Sequence, residues 1–297
     1  MRSAFPAQSS PFSPLFAHWR QLAGIAFLAL SSAACTAKIP LPAASGSQPV
    51  NTQVKNPTRS TQGFSQCPQF FANGKPPVLN DQPKLRALCY DAFAVLHSGQ
   101  SKTPVFVAQR LNKALVDDAD EKRTNRFYSD ARLPRDERAE LDDYKRSGYS
   151  RGHMAPAGDM PTAQAMAQSF SLANMVPQSI KQNGGPWARI EKYTRSYAQR
   201  ASGDVYVITG PVFASDAGTV GANQVRVPSF LCKLVYDAQS QRAWAHWQAN
   251  DDAARVTQPI SYEELVRRTG IDFLPGSMPQ TAGKLQQASL PGSARTH

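Results

Sequence analysis

One short stretch constrains this chain more than any other. Arg151-Gly152-His153 closes an alternating segment that begins at Tyr149, and Asn183, Trp187 and Glu191 follow at intervals of four residues. The first segment reads as a strand whose last side chain is an imidazole. The second reads as a helix presenting an amide, an indole and a carboxylate on one face, because positions four apart stack on a helix. Pro186 is compatible with that helix if Asn183 stands in its first turn, where amide hydrogens are unpaired anyway.

Around this pair of segments the chain reads as an α+β fold. Leu85–Leu96 is strand-like, and Pro104–Ala108 is a strand followed by a short helix over 109–115. Phe127–Arg146 is charged and turn-rich, as expected of a surface excursion. A helix is predicted over Ala163–Phe170, then an extended piece Leu172–Val176 stopping before Pro177. Val205–Thr209 is a buried strand closed by Gly210-Pro211. Further strands are predicted over Val225–Val235 and Ala243–Gln248. Ser261 caps a helix reaching Arg268, with Gly270 as its stop.

The ends differ from this body. Arg20 precedes an apolar run, Leu22–Leu30, and then Ser31-Ser32-Ala33-Ala34-Cys35. That run is too short to span a bilayer and has the length of an export-signal core. Cys35 stands where a bacterial lipoprotein is processed; ordinary cleavage nearby with a soluble product is the alternative. Either outcome implies an exported protein, periplasmic, lipid-anchored or secreted. Residues 36–62, rich in Pro, Ser, Thr and Ala, read as a flexible tether. The folded body is expected over 63–275 and a loose tail over 276–297. Of the remaining cysteines, Cys67 and Cys89 are the preferred disulfide pair, since Cys232 lies in an apolar run and export permits oxidation. None has zinc-site spacing.

The chain of 297 residues carries a formal net charge of +11, which favours nucleic acid or an anionic membrane as partner. A neutral histidine can take a proton from water. An amide oxygen is a hard, uncharged ligand that leaves magnesium most of its waters, and a carboxylate two turns along can hold those waters. The combination suits metal-assisted hydrolysis of a phosphodiester. Trp187 is expected to pack. Asn174 and Gln178, flanking Pro177, are expected to tie the loop to the helix start. Arg123, Arg126, Lys145 and Arg146 supply a positive entrance that would grip backbone phosphates without reading bases.

Ser147-Gly148-Tyr149-Ser150-Arg151-Gly152-His153-Met154-Ala155-Pro156 resembles the active-site signature of the DNA/RNA non-specific endonucleases, the ββα-metal group. Asn174-Met175-Val176-Pro177-Gln178, followed by Asn183-Gly184-Gly185-Pro186-Trp187 and Glu191, resembles the second signature of that group. Weaker echoes bring the likeness to about residues 63–275. The resemblance implies a ββα-metal fold with a central antiparallel sheet and flanking helices. It also implies His153 as general base, Asn183 as the sole direct protein ligand of magnesium (manganese substituting), and Glu191 as an orienter of the metal's waters. Arg151 would clamp phosphate, and Asn174 would be a structural or substrate-side amide. Arg123 and Arg126 compete for the role of a further upstream arginine. Ser150 stands where the family usually has Asp, and so withholds a negative charge from the water network. The implied reaction cuts double- and single-stranded DNA and RNA with little sequence preference and leaves 5′-phosphate ends; a homodimer is compatible with it. The competing readings are a binding-only module, a phosphodiesterase acting on a small anionic substrate, and a toxin component.

Overall fold

The computed structural model describes residues 59–60 and 63–281. The expected export signal with Cys35, the tether apart from Arg59–Ser60, and the end of the tail lie outside them. In chain order the strands are β1 (Arg59–Ser60), β2 (Leu79–Asn80), β3 (Leu85–Cys89), β4 (Ala94–Ser98), β5 (Thr103–Leu111), β6 (Tyr149–His153), β7 (Met175–Ser179), β8 (Val205–Val212), β9 (Thr219–Val220), β10 (Val225–Arg226), β11 (Phe230–Asp237), β12 (Arg242–Ala249) and β13 (Gln280–Thr281). The helices are α1 (Lys113–Asp117), α2 (Leu141–Tyr144), α3 (Ala163–Ser169), α4 (Ile180–Gln182), α5 (Ala188–Ala198) and α6 (Tyr262–Thr269).

The centre is a seven-stranded sheet in the order β13-β12-β11-β8-β5-β4-β3. Its pairings are antiparallel except that of β13 with β12. Period-two alternation sorts the side chains into two cores. One face gathers Phe106, Ala108, Ile208, Cys232, Leu234 and Ala245 under α6 and the N-terminal aromatics Phe64, Phe70 and Phe71. The other gathers Val107, Leu231 and Val95 with Trp187 and Ile190, and Val207 and Val235 with Ala198. The helical segment that carries the candidate site therefore lies on this second face.

Several local signals act as the sequence suggests. Ser261 accepts from the Glu264 N–H at the start of α6, and Gly270 closes that helix in the left-handed region at φ 69°. Thr162 caps α3 in the same way. Cys67 and Cys89 form a disulfide, and Cys232 is a buried thiol.

Other elements differ, each for a physical reason. Leu85–Leu96 is a hairpin, β3 and β4, turning at Tyr90–Phe93. β5 runs on to Leu111, so the short helix begins only at Lys113, where Asn112 caps it. Pro177 lies inside β7 and not beyond it. Among the described residues β7 pairs only with β6, so the missing N–H faces no ladder partner. β8 likewise runs through Gly210-Pro211 to Val212, because β5 accompanies it only as far as Thr209. Val225–Val235 divides into β10 and β11 around Pro228. Phe127–Arg146 is no simple surface excursion. Asp130, Leu133, Glu137, Ala139, Asp143 and Tyr144 within it are all buried, Asp130 held by Tyr90 and Arg132 and Glu137 by Arg86. Finally, β13 adds ordered chain beyond residue 275.

Candidate active site

β6 and β7 form a two-stranded ribbon that sets Ser150 opposite Gln178 and His153 opposite Met175. Gly152 makes this ribbon possible. A Cβ there would lie 1.8 Å from Gln178 Oε1 and 2.5 Å from Gln178 Cβ, so only glycine admits the Gln178 side chain across the strand. Gln178 is itself buried and donates to Gln182.

His153 ends β6 at 7% exposure. Its ring meets Phe170 edge-on at 5.0 Å and Phe127 at 5.8 Å. These two phenyl rings pack on each other at 4.9 Å. Each also carries a guanidinium: Arg151 lies 4.0 Å from the Phe127 centroid and Arg123 5.1 Å from that of Phe170. The histidine is thus wedged into an aromatic corner whose outer surfaces are two cations. Burial, reinforced by the charges of Arg123 and Arg151, pushes the His153 imidazole down to about 3. It is neutral at physiological pH, and its Nε2 is buried without a hydrogen-bond partner among the described residues.

Asn174 fixes the chain just beyond the histidine. Its Oδ1 accepts from the Ala155 N–H at 2.8 Å, and its Nδ2 donates to the Ala155 and Ser169 carbonyls, each at 2.9 Å. At 0% exposure, with both amide ends held by backbone, Asn174 ties strand to loop and faces no solvent.

Asn183 stands differently from its expected first-turn position. The helix starts a turn earlier, with Ser179 capping Ile180–Gln182, so Pro186 falls in the helix interior. The backbone answers by widening into a π turn over Asn183–Trp187 before α5 resumes the normal pitch. A π turn steps the hydrogen bonds along by one residue and absorbs a position that has no N–H. Asn183 Nδ2 donates to Ser150 Oγ at 3.0 Å, and Ser150 Oγ donates to the Gln178 carbonyl at 2.9 Å. Asn183 Oδ1 accepts no hydrogen bond from a described residue. Trp187 is fully buried and packs.

The Glu191 side chain forms no hydrogen bond or ion pair with a described residue. Burial pushes its carboxyl up to about 7, against the pull of Lys233, Arg195 and Arg123 and with some help from Asp159. Arg123 thus acts electrostatically on both His153 and Glu191. Arg126, Lys145 and Arg146 are exposed and make no side-chain hydrogen bond, ion pair or ring contact among the described residues. The structure brings Arg123 and Arg151 to the histidine and leaves these other cations at the surface.

Sequence reasoning missed Phe127 and Phe170, which seat His153 and both arginines. It also missed Lys233, whose signal was present: a lysine at an inward position of the apolar run Phe230–Tyr236.

Among the described residues, no three His, Cys, Asp or Glu side chains are grouped to hold a metal. The site instead offers a single amide oxygen, Asn183 Oδ1, left free while its nitrogen is held by Ser150, and a carboxylate with no hydrogen-bond or ion-pair partner among the described residues. That donor set fits a hard, strongly hydrated divalent ion and not a soft one.

The DNA/RNA non-specific endonuclease model matches residues 75–279. The chain belongs to the DNA/RNA non-specific endonuclease family. It is 39% identical over 225 residues to the mitochondrial nuclease EXOG of Danio rerio, covering 66% of this chain and 63% of that protein. It is 36% identical over 166 residues to human EXOG, covering 52% and 45%. To human mitochondrial endonuclease G it is 31% identical over 219 residues, 67% of this chain and 70% of that one. The chain thus spans less than two thirds of the length of these EXOG proteins. The fold is also that of EndoG in a crystal structure of the EndoG/EndoGI complex, with a TM-score of 0.57 at 24% identity, covering 63% of this chain and 85% of that one. The central antiparallel sheet with flanking helices is the family's mixed α+β architecture.

Proposed function

We propose that this protein hydrolyses phosphodiester bonds in DNA and RNA with magnesium (or manganese) as cofactor, with little sequence preference, leaving 5′-phosphate ends. The observation that carries the reading is His153: a neutral, buried imidazole with an unpartnered nitrogen, on the strand whose Ser150 orients Asn183.

His153 accepts the proton of the attacking water. Its basicity in the free protein is held low by burial first and further by the charges of Arg123 and Arg151. A phosphate docking on those arginines offsets their charge, and the imidazole becomes a stronger base when substrate arrives. Arg151 and Arg123, held by the phenyl rings, receive the non-bridging phosphate oxygens. Asn183 Oδ1 would hold the metal and Glu191 would orient its water shell; a bound divalent ion supplies charge stabilisation at phosphorus and at the departing oxygen. Asn174 serves as a tie beneath the histidine. Arg126, Lys145 and Arg146 contribute long-range attraction for the nucleic-acid backbone, which makes binding salt-sensitive. The proposed location is outside the cytoplasm: periplasmic, anchored to the membrane by a lipid at Cys35, or secreted.

The deciding experiment is digestion of plasmid DNA and of RNA by the purified chain, with magnesium and with chelator. Cleavage of both that chelator abolishes is the expected result. Tight binding without cleavage would leave a binding module, and cleavage of small phosphodiesters alone would leave a small-substrate phosphodiesterase.

A further inference from the structure

Beneath α5 the sheet carries charge where the surrounding positions are apolar. Alternation along β11 sends Leu231, Lys233 and Val235 to the face that α5 covers. Lys233 is 1% exposed. Its ammonium donates to Thr209 Oγ1 at 2.7 Å on the paired strand and lies 5.4 Å from the centre of the Trp187 ring. It forms no ion pair among the described residues. Desolvating an ammonium is costly unless a counter-charge is supplied, so a lysine buried on this face calls for a carboxylate nearby.

The charged groups of the layer are Lys233, Arg195, Asp159 and Glu191. Asp159 is engaged by Arg195 at 2.9 Å and by Gln109 at 3.4 Å. Glu191 follows by four residues the Trp187 whose ring lies over the ammonium, on the helix that covers Lys233, and is therefore the carboxylate left to balance it; each acts electrostatically on the other. With both carboxylates ionised the layer is neutral. With Glu191 protonated it holds an unmatched buried cation.

We propose that Lys233 is a positioning residue for the metal site: a fixed cation, braced by Thr209 under Trp187, that holds Glu191 as a carboxylate able to order the hydration shell of the divalent ion at Asn183. This rests on the function proposed above. The other groups that act on Glu191 are Asp159 from the turn after β6, Arg195 from its own helix and Arg123 from the loop before Phe127. Lys233 is also acted on by its chain neighbour Cys232, whose side chain lies on the opposite face of the sheet, and it acts on His246 of β12.

The test uses the full chain as Lys233→Met, Glu191→Gln and the double variant. Manganese binding, followed by electron paramagnetic resonance without nucleic acid, should weaken by about tenfold in Lys233→Met, the scale of losing an outer support of a metal site. In the Glu191→Gln background the same substitution should change binding less than about twofold, because the two act as one unit. The acid limb of the cleavage–pH profile should move to higher pH in Lys233→Met only when Glu191 is present. Wild-type-like binding in Lys233→Met, or losses that multiply, would overturn the proposal. If Lys233→Met does not fold, Glu191→Gln should restore a metal-free melting transition at neutral pH; a double variant that stays unfolded also overturns it. The manganese-binding arm needs no nuclease activity, so absent cleavage by the wild type with coupling intact would count against the proposed function and not against the pairing.

Discussion

The Asn183 side-chain amide donates to the Ser150 hydroxyl at 3.0 Å, and that hydroxyl passes its own proton to the Gln178 carbonyl at 2.9 Å. One serine therefore fixes which end of the amide points outward, and does so from a strand distant in sequence. Ser150→Ala should release Asn183 and weaken divalent-ion binding by about tenfold, with titration calorimetry as the check. Ser150→Asp can still accept from Asn183 but cannot donate to Gln178. It should bind metal more tightly while losing about 1 kcal/mol of stability in urea melts. Unchanged affinity in both variants would remove Ser150 from the site.

His153→Ala should lower cleavage by about 10²–10⁴-fold, the usual contribution of a positioned base. Binding of a DNA duplex, measured by fluorescence anisotropy with calcium in place of magnesium, should stay within about twofold of wild type. Retained cleavage would reject His153 as the base.

Gly152→Ala brings a methyl group into the Gln178 side chain. The expected cost is about 1–3 kcal/mol, as for other overpacked interiors, read as a lower urea midpoint. The double variant Gly152→Ala/Gln178→Ala should recover much of that loss, since the clash is with this one side chain.

The buried histidines set a pH dependence of stability. His153 is pushed down to about 3 and His246 to about 4, and His97 is also lowered, in each case by burial first. The unfolded chain takes up these protons near about pH 6.5, well above the folded values. Between the two the unfolded state binds more protons, so stability rises with pH. This contribution is fully present above about pH 6.5 and is lost as pH falls toward 4 and 3. The urea midpoint should drop steadily from pH 7 to pH 4, and less steeply in His153→Ala/His246→Gln. An identical slope in that variant would show that other groups govern the decline.

Signals confined to one turn or one strand were legible in the sequence. The Ser261 cap and Gly270 stop bound α6, and Tyr149–His153 reads as a strand from its own residues. Proline misled twice, at Pro177 and Pro211, because whether a missing N–H matters depends on which neighbour the strand has, and no local pattern reveals that. The buried carboxylates of Phe127–Arg146 were read as surface for a similar reason. Asp130 and Glu137 are neutralised by Arg132 and by the distant Arg86, and pairing across long sequence distances leaves no periodicity. The candidate site was legible as residue types and spacing. Its supports, Phe127, Phe170, Ser150 as a relay and Lys233, emerge only from how the strands and helices face one another.

The widened turn at Asn183–Trp187 has a consequence for anyone recombining segments among related proteins. The polar groups on either side of it take their bearings from the backbone count between them, and a single residue gained or lost there swings everything downstream by about 100° around the helix axis. Gly184→Ala or Gly185→Ala, where the added Cβ would meet open space, should pass unnoticed. A one-residue deletion in the same place should leave a folded protein whose Asn183 and Glu191 no longer address the same spot.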